Sequence, residues 1–247
     1  LSSITNELPD EMRIDFEVNN ENKIKILTEY GDYNIVGKPA DEFPNTPEIE
    51  TKNQIEIEAS TLKEIVSKTV FAVSRDDLKP ALTGVLFKFL KNNLTAVATD
   101  GHRLVKYEKT NEENISEFGD IIVPKKFLNL LLGGLDGGKI KLTIGENHLT
   151  TTIGNDHYYT RIIDEKFPDF NGVIPKDNDK NLIINKKRLL SAVKRVSIFS
   201  NKSTHQIALR LNDEDLLVST EDPEQSTKAK ENIKGEYNGE NITVGYN

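Results

Sequence analysis

The stretch ATDGHRLVKY, residues 98 to 107, brings together side chains suited to proton transfer: Asp100 and His102, with Gly101 between them and Arg103 alongside. A carboxylate and an imidazole so placed could serve general base catalysis, so a hydrolase using Asp100 and His102 is one reading. No Ser or Cys nucleophile motif adjoins them, and this spacing across a glycine is common where a hairpin ends. His148 and His157 lie nine residues apart in neighbouring strand-like segments, His205 stands alone, and the chain has no cysteine. The spacing supplies no carboxylates to complete a zinc site, so the histidines read as solvated surface, and neither metal nor cofactor is expected. Tyr158 and Tyr159 must point to opposite faces of a strand, so at most one is exposed and neither is given a base-stacking role.

The elements that would position such residues follow from pattern. A chain of 247 residues suits two domains or a few repeated modules, at about 100 to 200 residues each. The lack of cysteine fits a reducing compartment, and no apolar run approaches the roughly 18 residues of a membrane span, so a cytoplasmic protein is expected. The start at Leu1 and the strand-like ending NITVGYN read as a fragment of something longer.

The net charge of -8 argues by itself against a nucleic-acid partner, but the charge is segregated. Three windows have helical periodicity: 60–75, 124–134 and 186–202. In the first, Leu62, Ile65, Val66, Thr69, Val70 and Val73 share a face, and Thr61 with Glu64 can form a capping box. In the second, Pro124 suits the first helical position and Gly133 the exit, with Phe127, Leu128 and Leu131 on one side. In the third, Leu189, Leu190, Val193 and Val196 form the apolar face, leaving a basic one exposed. Together the windows hold 11 basic residues and one acid, Glu64, whereas the rest of the chain holds 21 basic and 39 acidic residues. Exposed lysines can simply keep a helix soluble, an explanation that three helices with a single acid among them make less comfortable.

Between the helices run alternating segments typical of antiparallel strands: 81–90, 94–100, 103–109, 139–145, 149–154 and 158–164. The class is α+β with hairpins, and no Gly-rich phosphate loop follows a strand. The chain also repeats itself. DEFPNTPEIE (41–50) returns as DEKFPDFNGVIP (164–175), with Pro44 and Pro168 lying 124 residues apart. LKEIVSKTVFAVS (62–74) answers LLSAVKRVSIFS (189–200), and AVATDG (96–101) answers LVSTED (217–222), in the same order. Residues 1–51 thus read as the end of one module, 52–175 as a complete second and 176–247 as the start of a third.

Five motifs in register, FAVSRDDLKPALTGVLF, LTAVATDGHRL, IIVPKKFLNLL, FPDFNGVIPKD and VSIFSNKSTHQIALRL, together resemble the bacterial DNA polymerase III β subunit, the sliding clamp. The resemblance implies a DNA clamp fold with three modules per complete chain, so that this one is truncated in the first and third. It further implies a head-to-tail homodimeric ring with helices lining the lumen and sheets outside. Such a protein is no enzyme. Its partners would be double-stranded DNA without sequence specificity, together with polymerase, clamp loader and repair proteins carrying short hydrophobic peptides.

Lys126 matches a lumen position of the family, and Lys125, Arg75, Lys187, Arg188, Lys194 and Arg195 join it as DNA-facing candidates on charge. The resemblance places Thr99, Gly101, His102, Arg103 and Leu104 in a peptide groove between the second and third modules, with Leu82, Pro168, Val173 and Asn247. Leu82, Leu104 and Val173 would offer apolar area there, and His102 or Arg103 a polar rim. Gly172 and Thr204 depart from the basic and aromatic residues of some relatives. Ile198 and Phe199 match positions packed across the dimer interface. The rival to this reading is a repeated β-rich module binding protein or carbohydrate, which leaves the basic helices unexplained.

Overall fold

A computed structural model of the chain describes residues 1–46, 50–91, 93–110, 119–212 and 215–246. The chain divides into two compact units, Leu1–Pro168 and Asp169–Asn247. The first begins with a four-residue helix, α1 (Ser2–Thr5), and an antiparallel meander of β1 (Asp15–Val18), β2 (Lys23–Thr28) and β3 (Gly31–Val36). There follow β4 (Asn53–Glu58), α2 (Ala59–Thr69), β5 (Gly84–Leu90), β6 (Asn93–Thr99), β7 (Leu104–Thr110) and β8 (Asp120–Pro124). The unit closes with α3 (Lys125–Leu132), β9 (Lys139–Ile144), β10 (His148–Ile153) and β11 (Asp156–Arg161).

Two four-stranded antiparallel sheets result, ordered β7-β6-β5-β8 and β11-β10-β9-β4. Both helices share one core with them, because the stripe Ala59, Leu62, Ile65, Val66 of α2 and the stripe Phe127, Leu128, Leu131 of α3 meet inward residues of both sheets. Each fully buried Leu or Ile stabilises the fold by roughly 1.5–3 kcal/mol. Strand β6 is more interior than its sequence suggests. It buries five consecutive residues, Leu94 to Ala98, with Leu94, Ala96 and Ala98 in the main core and Thr95 and Val97 on the reverse face.

The helix ends correct several expectations. No capping box forms at Thr61 and Glu64, since α2 starts two residues before Thr61 and Glu58 at its N-cap makes no side-chain cap. Backbone does the capping: α2 leaves β4 directly, and the Ala59 N–H donates to the Gly138 carbonyl at 2.8 Å. Thr61 and Glu64 are left to receive Lys109 Nζ from β7, at 3.1 and 3.5 Å. Helix α2 ends at Thr69 in a 3-10 turn over Val70–Ala72, so Val73 is buried outside the helix and Arg75 lies beyond it. Pro124 is the N-cap of α3 and not its first residue, held by its ladder position opposite Gly84, while Gly133 does close the helix.

The second unit consists of β12 (Asn181–Ile183), α4 (Lys186–Ser197), β13 (Ile207–Leu211), β14 (Asp215–Asp222), β15 (Thr227–Lys234), β16 (Glu236–Asn238) and β17 (Ile242–Tyr246). Its main sheet is ordered β15-β14-β13-β17, with β12 and β16 paired separately. Ala192 and Val196 of α4 pack with Leu216, Val218 and Ile233 in a smaller core. The sequence of β12, α4, β13, β14 and β15 repeats that of β4, α2, β5, β6 and β7. The repeat extends to a turn. Asp100 after β6 accepts backbone N–H bonds from His102 and Arg103, and Asp222 at the end of β14 accepts them from Glu224 and Gln225. The structural counterpart of Asp100 is therefore Asp222, one residue beyond the Glu221 that string matching aligns with it.

Candidate functional site

Helix α4 carries the densest cationic surface. Asn185 caps it, its Oδ1 accepting the Arg188 N–H at 3.1 Å. With Ala192 and Val196 buried and Leu189 and Val193 half-buried, the 100° rotation per residue sends Lys187, Ser191 and Lys194 to solvent. Lys187 and Lys194 are two turns apart, about 10 Å along the axis. The same rotation removes Leu190 from the apolar face expected of it, and that side chain is 49% exposed. Arg188 and Arg195, also two turns apart, lie on the flank towards β15. A groove of about 440 Å³ there is lined by Lys187, Arg188, Ser191, Arg195, Glu231 and Lys234.

Within the groove Arg195 is already engaged. Its Nε and Nη2 donate to Glu231 Oε1 and Oε2 at 2.8 and 2.7 Å, a bidentate fork. The bond from Arg195 holds the Glu231 carboxyl below the usual range and pushes the guanidinium up. Helical periodicity gave no sign of this partner. The available signal was the period of two in β15, which puts Glu231 on the face of Ala229 and Ile233, where α4 packs.

On α3, Lys126 is exposed opposite the stripe Phe127, Leu128, Leu131, and Lys125 is half-buried. On α2, Lys68 is tied to Glu64 at 2.6 Å and lies 5.0 Å from the Tyr107 ring centroid. The Lys68 bond, aided by Tyr107 and Lys109, keeps the Glu64 carboxyl low. Arg75 is exposed in the loop after α2, next to Asp76 and Asp77. Among the described residues, Arg75, Lys125, Lys126, Lys187, Arg188 and Lys194 make no ion pair, whereas Lys68 and Arg195 do.

The turn at residues 99–104 is a closed hydrogen-bonded unit. Asp100 Oδ1 accepts the N–H of His102 at 3.0 Å and of Arg103 at 2.9 Å, while Oδ2 accepts Arg103 Nε at 2.9 Å. Thr99 Oγ1 donates to the Arg103 carbonyl at 2.8 Å and accepts the Gly101 N–H at 3.1 Å. Gly101 has φ of +91°, which a side chain would strain. Burial alone would raise the Asp100 carboxyl, but the amides of Arg103 and His102 and the guanidinium outweigh it and hold the group below its usual range. A general base needs the opposite shift, and this carboxylate meets His102 through the backbone and not the imidazole. The hydrolase reading loses its support.

Arg103 also stands 5.7 Å from the centroid of Phe71, itself half exposed, which gives the turn an apolar and cationic flank. Leu82 is only 9% exposed and Leu104 is half-buried, whereas Pro168 is exposed and Val173 is 68% exposed. Asn247 lies outside the described residues. Ile198 and Phe199 follow the end of α4 and are 76% and 43% exposed, so they are not core. His157 Nδ1 is 3.0 Å from Thr152 Oγ1 across the β10–β11 pair, and no cluster of three or more metal-ligating side chains occurs among the described residues. No helix among them is long and apolar enough to cross a membrane.

Residues 56–169 match the family model for the central domain of the DNA polymerase III β subunit, and residues 171–247 match that for its C-terminal domain. The β sliding clamp of Pseudomonas aeruginosa is 30% identical over 249 residues, an alignment covering 100% of this chain and 67% of the relative. The chain belongs to the DNA polymerase III β subunit family. This family comprises the sliding clamps, non-catalytic accessory subunits that act as processivity factors in DNA replication. The Escherichia coli K12 β sliding clamp is 30% identical over 211 residues, covering 85% of this chain and 57% of the relative. Solved clamp structures agree in fold. The β subunit from P. aeruginosa superposes with a TM-score of 0.82 at 30% identity, covering 99% of this chain and 68% of that one. A clamp from Bartonella birtlesii bound to griselimycin gives 0.84 at 27% identity, covering 99% and 67%. The chain thus spans about two thirds of the length of these β clamps.

Proposed function

We propose that this β clamp chain encircles duplex DNA as part of a processivity ring and tethers replication proteins through short peptides. Residues 1–51, 52–175 and 176–247 belong, in this reading, to successive clamp modules. One observation carries the DNA contact: Lys126, Lys187 and Lys194 project from helix faces opposite buried stripes and have no acidic partner among the described residues. Lysines so placed attract phosphates without reading bases, as a ring that must not stop at any sequence requires. Lys125, Arg75 and Arg188 extend this surface. Because retention on DNA is topological, each contact can be weak. A full-length clamp carrying these modules should stay on circular DNA at moderate salt and slide off a linear end; equal loss from both would overturn the proposal.

The proposed peptide contacts are Leu82, Thr99, Gly101, His102, Arg103, Leu104, Pro168, Val173 and Asn247. Val173, at 68% exposure, offers the most apolar area of the three aliphatic candidates. Val173→Asp should abolish calorimetric binding of a short hydrophobic peptide from a polymerase or clamp loader, and unchanged affinity would remove the assignment. Ile198 and Phe199, exposed at the end of α4, are the proposed homodimer contacts. The cytoplasm, where a bacterial chromosome is copied, is the proposed location.

A further inference from the structure

We propose that Glu231 acts as a built-in competitor for DNA phosphate, occupying the Arg195 fork so that the α4–β15 groove holds the duplex with fewer cations than its sequence carries. The inference rests on the reading of α4 as a DNA-facing helix and adds the residue that limits its grip. Both guanidinium bonds are short, at 2.8 and 2.7 Å, and match the two-oxygen geometry that a phosphate would present. The pair sits at the wall of an open groove also lined by Lys187, Arg188 and Lys234, none of which makes an ion pair among the described residues. A phosphate entering this groove meets free cations first and can take the Nε–Nη2 edge of Arg195 only by displacing Glu231.

The position of Glu231 supports a competing role over a purely structural one. Its neighbours on the same face of β15, Ala229 and Ile233, already pack against α4, so helix docking is supplied by apolar contact. Arg195 retains 59% side-chain exposure and Glu231 32%, so solvent and ligand can reach both. A pair this exposed adds little to stability, and its main effect is on the field that the groove presents. For a ring that must slide, masking this strong bidentate site lowers the chance of pausing at any phosphate.

The test is fluorescence anisotropy of a labelled 30-base-pair duplex with the 247-residue chain, titrated with salt. Glu231→Gln keeps the shape and frees the fork. It should tighten binding and steepen the slope of log affinity against log salt by about 0.9, the value for one further phosphate contact. Over a fourfold salt range that slope makes the gain about 3.5 times larger at the low-salt end. Arg195→Ala alone leaves Glu231 bare and lowers affinity, but it should not flatten the slope, since Arg195 makes no phosphate contact in the wild type. In the double variant Glu231→Gln, Arg195→Ala the steepening should vanish. Three results overturn the proposal: no tightening by Glu231→Gln, a steepened slope that survives in the double variant and so does not come from Arg195, or a flattened slope in Arg195→Ala. Lys187→Ala with Lys194→Ala separates this from the broader reading, because a slope unchanged by that variant refutes DNA contact by α4. A flattened slope there with no response to Glu231→Gln refutes the competitor alone.

Discussion

Replacing Asp100 by Ala should loosen the turn at residues 99–104 without unfolding the sheet that bears it. The variant deletes the acceptor for the His102 and Arg103 amides and the partner of the Arg103 guanidinium. The turn lies at the surface, so water takes over part of the lost bonding, and the cost should resemble loss of a helix cap, about 1–2 kcal/mol. Local opening of that size raises amide hydrogen exchange about 5- to 30-fold. The assay is exchange at His102 and Arg103 measured by NMR, with the β6 amides of Ala96 and Ala98 as internal controls. Asp100→Asn keeps a backbone acceptor and should fall between the two. The backbone amides and the Arg103 guanidinium hold the carboxyl below the usual aspartate range, so its stabilisation is complete above the unfolded pKa, about 3.9, and is lost as pH falls through the lower folded value. Protection relative to an unstructured peptide should therefore persist at pH 5 and fade below 3.8. Wild-type exchange in Asp100→Ala, or a titration midpoint above 3.8, would refute the reasoning.

Two further outcomes follow from other parts of the molecule. Lys187→Ala with Lys194→Ala removes two unpaired cations and should flatten the salt slope for duplex binding by about 1.8, so that wild-type affinity falls roughly 12-fold further between 50 and 200 mM salt. Lys228→Ala, whose side chain is paired with Glu221 on the other face of β15, serves as control and should leave the slope unchanged. Gly84→Ala should destabilise the first unit by about 1–3 kcal/mol, because the added methyl would lie 2.6 Å from the Val123 carbonyl oxygen and 2.9 Å from Ile163 Cδ1. The urea midpoint of that unit is the measure, and an unshifted midpoint would contradict the close approach.

Elements with strong periodicity were legible in the sequence, because a 3.6-residue or two-residue repeat survives whatever surrounds it. All three basic helices and all six segments read as strands are present, with ends displaced by a few residues. The ends were less legible for a physical reason. Helix α2 is capped by the Gly138 carbonyl, which is 79 residues away in the chain, and no local motif reports such a partner. Leu190 was misplaced because a leucine adjoining Leu189 looks apolar in sequence, yet one step of 100° carries it from the core to solvent. The basic face of α4 was visible as composition, whereas its partial neutralisation by Glu231 depends on packing between elements 36 residues apart. The turn at Asp100 presented its residue types plainly, but only the hydrogen bonds show that the carboxylate is committed to the backbone.

The Asp-anchored corner that closes both β6 and β14 bears on how the two units are free to diverge. Each fastening runs from one carboxylate oxygen to two main-chain amides, at 2.9 to 3.4 Å, and these bonds form whatever side chains stand two and three positions ahead, although Arg103 adds one to the other Asp100 oxygen. Those positions hold His102 and Arg103 in one unit and Glu224 and Gln225 in the other, opposite in electrical character on the same frame. Evolution can rewrite what such a corner displays while leaving the hinge that supports it untouched, and this chain shows two editions of the same page.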